Sequence, residues 1–157
     1  METIEDNPRR DLSGLEFFQK IQSGEIPQPP IHRLMNLQIV EIGEGRAVYE
    51  LEPHEDLYNG IGIVHGGVAA TLLDSTLGSA VNSMMAAGKI FTTLEMKTNY
   101  VRPITSKTGK VFCMANVIHV GNRTATAEGK IVDENGKLFA HGTATFMLFQ
   151  GKLKTDV

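Results

Sequence analysis

The chain has 157 residues, 41% apolar and 21% charged, with a formal net charge of −3; this is one domain of ordinary globular composition and not the profile of a general nucleic-acid binder. The charge is uneven, with 12 acids and 5 bases in residues 1–56 against 6 acids and 10 bases in residues 57–157. The single cysteine, Cys113, excludes an internal disulfide and, set in an alternating pattern, reads as buried packing in a reducing compartment.

The opening "METIEDNPRR" is acidic and lacks the apolar core of a secretory signal, so residues 1–10 read as a mobile charged arm. No apolar run is long enough to span a bilayer, and a cytoplasmic protein without membrane partners is expected. In "DLSGLEFFQKIQSGEI", Leu12, Leu15, Phe18 and Ile21 recur at helical spacing and Gly24 marks a stop. "PQPP" then separates this short helix from the rest of the chain, giving expected boundaries of 1–30 for the arm and helix, 31–150 for the main domain and 151–157 for a tail.

Between Leu34 and Leu51, "LQIVEIG" and "RAVYELE" flank "GEG", a hairpin signal. Residues 64–87 read as one long helix. After Gly88 come four alternating, β-branched runs, "IFTTLEMKTNYV", "GKVFCMANVIHV", "RTATAEGKIVD" and "KLFAHGTATFMLF", separated by "PITSKTG", "GN" and "ENG". Connections this short predict an antiparallel four-strand meander. The class is α+β: about six strands with one long helix.

That helix has an apolar stripe of Leu73, Leu77, Ala80, Val81 and Met84, while Thr71, Ser75, Gly78, Ser79 and Asn82 on its other face are small and uncharged. A solvated helix face normally carries charge. Burial nearly all round is expected, under a curved sheet and against backbone, a ligand or a second subunit.

Asp74 is the single charge between Ile61 and Ala87. Burying a lone carboxylate is costly unless it is paired or hydrogen-bonded. It reads either as bonded to a neighbouring hydroxyl or backbone group, or as a general base or nucleophile in a dry cleft. His65-Gly66-Gly67 stands at the helix start, where N–H groups lack intrahelical acceptors and glycine lets a ligand reach them. Such donors can hold a carbonyl oxygen as it gains negative charge; the competing reading is a tight turn, with His65 as a cap. Eight residues of helix separate Gly66 from Asp74, roughly 12 Å, so a two-fold dimer is needed to bring the glycine of one chain to the aspartate of another.

No zinc-ligand spacing, G-x-S-x-G elbow, Walker A motif or dinucleotide fingerprint is present, and neither metal nor cofactor is expected. From Met96 to Val132, Lys97, Arg102, Lys107, Lys110, Arg123 and Lys130 face Glu128 alone, which reads either as solvated strand faces or as a positive surface for an anionic small ligand.

The pattern N-G-x-G-x-x-H-G-G, an acid eight residues beyond the first motif glycine after the histidine, and the strands after the helix resemble the hotdog-fold acyl-CoA thioesterases of the PaaI (phenylacetic acid degradation) type, over about residues 34–149. The resemblance implies a sheet wrapped round a central helix, dimerised through paired strands and assembled as a tetramer, with acyl-CoA as the substrate. It implies that the Gly66 N–H polarises the thioester carbonyl, with Gly67 assisting. Asp74 of the partner subunit would activate water or attack the carbonyl, and His65 and Asn59 would orient the thioester and the motif loop. Thr92, with Thr93 next to it, matches the position of a hydroxyl that assists the water. Arg102 and Arg123 fall where coenzyme A phosphates are met, and Ser75 joins the substrate-binding set beside Asp74. Two other classes compete: a hotdog hydratase or dehydratase of acyl thioesters, and a non-catalytic acyl-CoA-binding protein.

Overall fold

The computed structural model describes residues 11–150; the arm at 1–10 and the tail at 151–157 lie outside them. Its helices are α1 (Gly14–Gln22), α2 (Pro30–Leu34) and α3 (Gly66–Ser83), and its strands are β1 (Gln38–Gly43), β2 (Arg46–Leu51), β3 (Lys89–Tyr100), β4 (Val111–Val120), β5 (Thr124–Asp133) and β6 (Leu138–Gln150). The strands form a single six-stranded antiparallel sheet in the order β1-β2-β4-β5-β6-β3, wrapped round α3 as a hotdog fold requires. No helix of the described residues is long and apolar enough to cross a membrane.

The β1–β2 turn has two residues, Glu44 and Gly45, whereas the β5–β6 connection at "ENG" is longer than the two-residue turn its sequence suggests, running from 134 to 137 with the Asp133 N–H donating to the Lys137 carbonyl at 3.1 Å. Gly45 and Gly136 adopt φ values of 71° and 78°, which glycine reaches without strain. The expected four-strand meander is corrected. Only β4, β5 and β6 follow one another in space, and β3 pairs with β6 over Lys89–Gln150 to Tyr100–Ala140. The segment from 101 to 110, between β3 and β4, is a crossover long enough to carry the chain across the sheet instead of a tight turn, and β3 becomes an edge.

Glycines let the sheet close on the helix. Gly129 and Gly142 face each other in the β5–β6 register. A methyl on Gly129 would lie 3.2 Å from Leu77 Cδ2, and one on Gly142 would lie 2.6 Å from the Lys97 carbonyl oxygen. Leu73 and Leu77, both fully buried, press onto this glycine pair. Cys113 is buried in the same core, and burial pushes its thiol up to about 12, so it is inert packing.

On the small polar face of α3, Gly78, Ser79 and Asn82 are buried and Thr71 and Ser75 half-buried, and the buried hydroxyls of the helix bond to its own carbonyls. Thr76 Oγ1 donates to the Leu72 carbonyl at 2.7 Å and Ser79 Oγ to the Ser75 carbonyl at 2.7 Å. Ser79 Oγ also shares a 2.9 Å hydrogen bond with the buried Tyr49 hydroxyl. The helix stops at Ser83, short of the expected residue 87. There Ser83 Oγ donates to the Ala80 carbonyl and accepts the Gly45 N–H, tying the last turn to the β1–β2 hairpin.

The N-terminal appendage has a defined seat. Ser13 and Glu16 form a reciprocal cap at the start of α1. The Gly14 N–H donates to the Met85 carbonyl at 2.9 Å, and a methyl on Gly14 would lie 1.7 Å from the Asn82 carbonyl oxygen. α1 therefore closes the C-terminal end of α3, and Gln22 reaches the Val40 carbonyl of β1 at 3.1 Å.

His32 on α2 is 5% exposed, meets the Tyr49 ring edge-on at 5.2 Å and has no hydrogen-bond partner for Nδ1 among the described residues. Burial holds its imidazole below the usual pKa. The unfolded chain then binds a proton that the folded chain refuses, so the proton linkage of this residue is nil well above about pH 6.5 and subtracts stability as the pH falls below that value. Urea midpoints at pH 7.5 and 5.0 should show a smaller acid loss in His32→Leu than in the parent; an equal loss would place the acid sensitivity elsewhere.

Candidate active site

The loop before α3 is organised by Asn59. Its Oδ1 accepts the N–H groups of Ile61 at 3.0 Å and Ile63 at 3.4 Å, while its own N–H donates to the Ile63 carbonyl at 2.8 Å. This Asx-type turn, with Gly62 at φ 80°, delivers the chain to His65. The His65 N–H is then anchored on the Leu57 carbonyl at 2.8 Å.

His65 caps α3: its Nδ1 accepts the Gly67 N–H at 2.8 Å. That bond requires Nδ1 to carry no proton, and it commits the Gly67 N–H to the cap, leaving Gly67 unable to serve as a second donor while the cap holds. Glycine is needed there because a methyl on Gly67 would lie 2.9 Å from His65 Nδ1. The Gly66 N–H, one residue earlier, meets no acceptor among the described residues. It stands at the helix start, where the helix dipole favours negative charge.

Tyr100, which nothing in the sequence motifs singles out, completes this end of the site. Its hydroxyl donates to the Gly66 carbonyl at 3.1 Å and its ring lies against Gly66, 3.3 Å from where a methyl would stand. An aromatic at the end of an edge strand is the available signal, but nothing in the sequence pairs it with residue 66. Asn59, Gly66, Tyr100, Arg102 and Phe139 line an open cleft of about 420 Å³. Arg102 is exposed and donates to the Leu138 carbonyl at 2.6 Å.

Asp74 belongs to a second cluster, in the middle of α3. It is half-buried and accepts a 2.8 Å hydrogen bond from Thr93 Oγ1 on β3. A hydroxyl donating to a carboxylate fixes its orientation. Of the two candidate threonines the structure brings Thr93 to the carboxylate, whereas Thr92 is exposed on the other face of β3. Ser75 follows Asp74 on α3 and is half-buried. Arg123, exposed just before β5, lies across β6 from the start of β3 because its carbonyl accepts the Leu148 N–H at 2.8 Å and Leu148 pairs with Phe91. Arg102 and Arg123 are thus at opposite ends of the sheet.

The arrangement therefore offers a free main-chain donor at one helix end and a hydroxyl-bound carboxylate about two turns along. The family model described as the thioesterase superfamily matches residues 61–140. A 1,4-dihydroxy-2-naphthoyl-CoA hydrolase of Listeria monocytogenes is 29% identical over 115 residues, covering 73% of this chain and 92% of the relative. Among solved structures, a conserved protein of Pseudomonas aeruginosa is 34% identical with a TM-score of 0.73, covering 78% of this chain and 95% of that one. The E. coli PaaI protein from the phenylacetic acid degradation operon shares the fold, at 21% identity and a TM-score of 0.77 over 90% of this chain and 99% of its own. Because the family match runs from the motif loop into β6 and spans both clusters, the chain belongs to the thioesterase superfamily, as a hydrolase of thioesters.

Proposed function

We propose that the protein hydrolyses an acyl-CoA thioester to the free carboxylic acid and coenzyme A, at sites that two subunits share. The observation that carries this reading is the pairing, on one helix, of an acceptor-free N–H at Gly66 with a carboxylate held by Thr93. The Gly66 N–H would hold the thioester oxygen as it gains negative charge. Asp74 would take a proton from the attacking water, or itself attack the carbonyl carbon to give an anhydride that water then opens. In either course the C–S bond breaks, the thiolate leaves and is protonated, and one water is consumed.

Roughly 12 Å of helix separate the two groups in one chain, too far for a single carbonyl to meet both. Antiparallel pairing of two α3 helices places the glycine of one beside the aspartate of the other. The edge strand β3 supports such pairing: its twelve residues are hydrogen-bonded on one side by β6, and Leu94, Tyr100 and Val101 along or just beyond it are 50%, 58% and 44% exposed. A long, partly apolar free edge invites a second strand. The same assembly reconciles the arginines, since Arg102 of one subunit and Arg123 of the other could serve one coenzyme A. We propose a cytoplasmic homodimer of this kind, further paired as a dimer of dimers.

A thiol-release screen over short, long and aromatic acyl-CoAs tests the reaction. Release of thiol together with an equal amount of acid is expected. No release from any ester, or loss of a 2-enoyl absorbance without thiol, would remove the hydrolase reading. With the best ester, Thr93→Val should lower kcat about ten- to a hundredfold, the scale of a lost hydrogen bond to a charged group. A larger loss in Thr92→Val than in Thr93→Val would return the role to Thr92.

A further inference from the structure

The main-chain groups at the start of α3 are tethered on every side of one free donor. The His65 N–H donates to the Leu57 carbonyl at 2.8 Å, and the His65 carbonyl accepts the Val68 N–H at 2.9 Å. The Gly67 N–H donates to His65 Nδ1 at 2.8 Å, and the Gly67 carbonyl accepts Thr71 Oγ1 at 2.9 Å. The Gly66 carbonyl accepts the Tyr100 hydroxyl at 3.1 Å. In this set only the Gly66 N–H meets no acceptor among the described residues. Of the tethering partners, only Tyr100 stands on the sheet.

Two adjacent glycines at a helix end form the least restrained backbone a chain can place there. The peptide that joins Gly66 to Gly67 is nevertheless held at both ends, by Tyr100 on its oxygen and by His65 on its N–H. Each bond polarises the amide in favour of the other. Holding this peptide fixes the rotation about Gly66, and the Val68 bond to the His65 carbonyl fixes the peptide before it. The Gly66 N–H is then left with one direction.

Tyr100 is itself firmly placed. It pairs with Ala140 on β6, and the N–H groups of Val101 and Arg102 both donate to the Phe139 carbonyl, at 2.8 and 3.1 Å. Its ring lies against Gly66, and both residues line the same cleft. An oxyanion donor works by being aimed before charge develops, so a support that prevents reorientation contributes to rate.

Resting on the acyl-CoA reading above, we infer that Tyr100 is a positioning residue: its hydroxyl holds the 66–67 peptide so that the Gly66 N–H stays aimed at the thioester oxygen. It acts through Gly66 and needs no contact with the reacting atoms.

Tyr100→Phe deletes the hydroxyl and keeps the ring, which tests this. In the full-length enzyme kcat should fall about three- to tenfold, the scale of one hydrogen bond between neutral groups, with KM within twofold and an unchanged thermal midpoint. In a Gly66→Pro background no N–H remains to be aimed, so the same change should cost less than about 1.5-fold. Amide exchange followed by NMR reads the tether without turnover. The Gly67 N–H should exchange at least threefold faster in Tyr100→Phe, while that of the fully buried Leu77 stays as in the parent. Parental kcat in Tyr100→Phe, a loss carried by KM, a loss repeated in full in the proline background, or unchanged exchange at Gly67 would each overturn the inference. Failure of the hydrolase reading would show separately, as a parent that releases no thiol although Gly67 exchange still rises in Tyr100→Phe.

Discussion

Asp74→Asn is expected to lower kcat by about 10²- to 10⁴-fold, the span that a positioned general base contributes, while KM moves only a few-fold. The substitution keeps the size of the side chain and an oxygen to accept from Thr93 Oγ1, whose bond to Asp74 is 2.8 Å. What it removes is the negative charge, needed when a proton is taken or a bond to carbon is made. A loss confined to kcat marks an interaction realised in the transition state. Stability should not suffer, because Asp74 is half-buried and forms no ion pair among the described residues. Stopped assays with a saturating ester and a parallel thermal melt check both halves. Turnover within threefold of the parent would remove Asp74 from the chemistry.

Gly66→Pro should cost about 10²- to 10³-fold in kcat, the scale set by loss of one oxyanion donor. Proline deletes the N–H and little else at this place. Residue 66 is the first of α3, where proline is at home, and His65 before it already has φ −60° and ψ 137°, the extended backbone that a residue preceding proline prefers. The new ring carbons approach Tyr100, whose ring lies 3.3 Å from where a Cβ at residue 66 would stand and which is 58% exposed, so it has solvent to shift into. A folded but nearly inactive enzyme is the expected outcome, and unimpaired turnover would mean that the oxyanion is held elsewhere.

The two variants together read out the sharing of sites. If each site takes Gly66 from one subunit and Asp74 from its partner, a mixed dimer of Asp74→Asn and Gly66→Pro chains contains one intact site and one doubly damaged site. Unfolding and refolding the two inactive proteins together should then restore a substantial part of the parental rate, up to about one quarter for random pairing into two-fold dimers. Sites built within single chains would leave the mixture as inactive as its components, with the same mixing serving both outcomes.

Much of this was legible in the residues because local rules carried it. Alternation and turn chemistry placed six strands, since side-chain period and glycine φ are properties of a few adjacent residues. The neutral, small-residue face of α3 announced burial all round, and the structure buries Gly78, Ser79 and Asn82. His65, Gly66 and Asp74 stood out because a glycine start and a single acid are anomalies in an apolar helix.

What escaped depends on long-range geometry. Strand order could not be inferred from short connections, because the segment between β3 and β4 can turn or cross depending on what the rest of the sheet leaves unpaired. Thr92 and Thr93 are equivalent in sequence; the pleat decides which one faces the helix, and the β3–β6 register turns Thr93 inward toward Asp74. The commitment of the Gly67 N–H to His65 and the Tyr100 contact with Gly66 likewise join residues that the chain holds far apart or that only a particular rotamer brings together. By itself, then, the sequence determined that a glycine start and a single acid sit on one apolar helix, because composition and period are local. Which of those groups meet, and what walls surround them, only the tertiary structure decided, because contact across a sheet is set by register and packing.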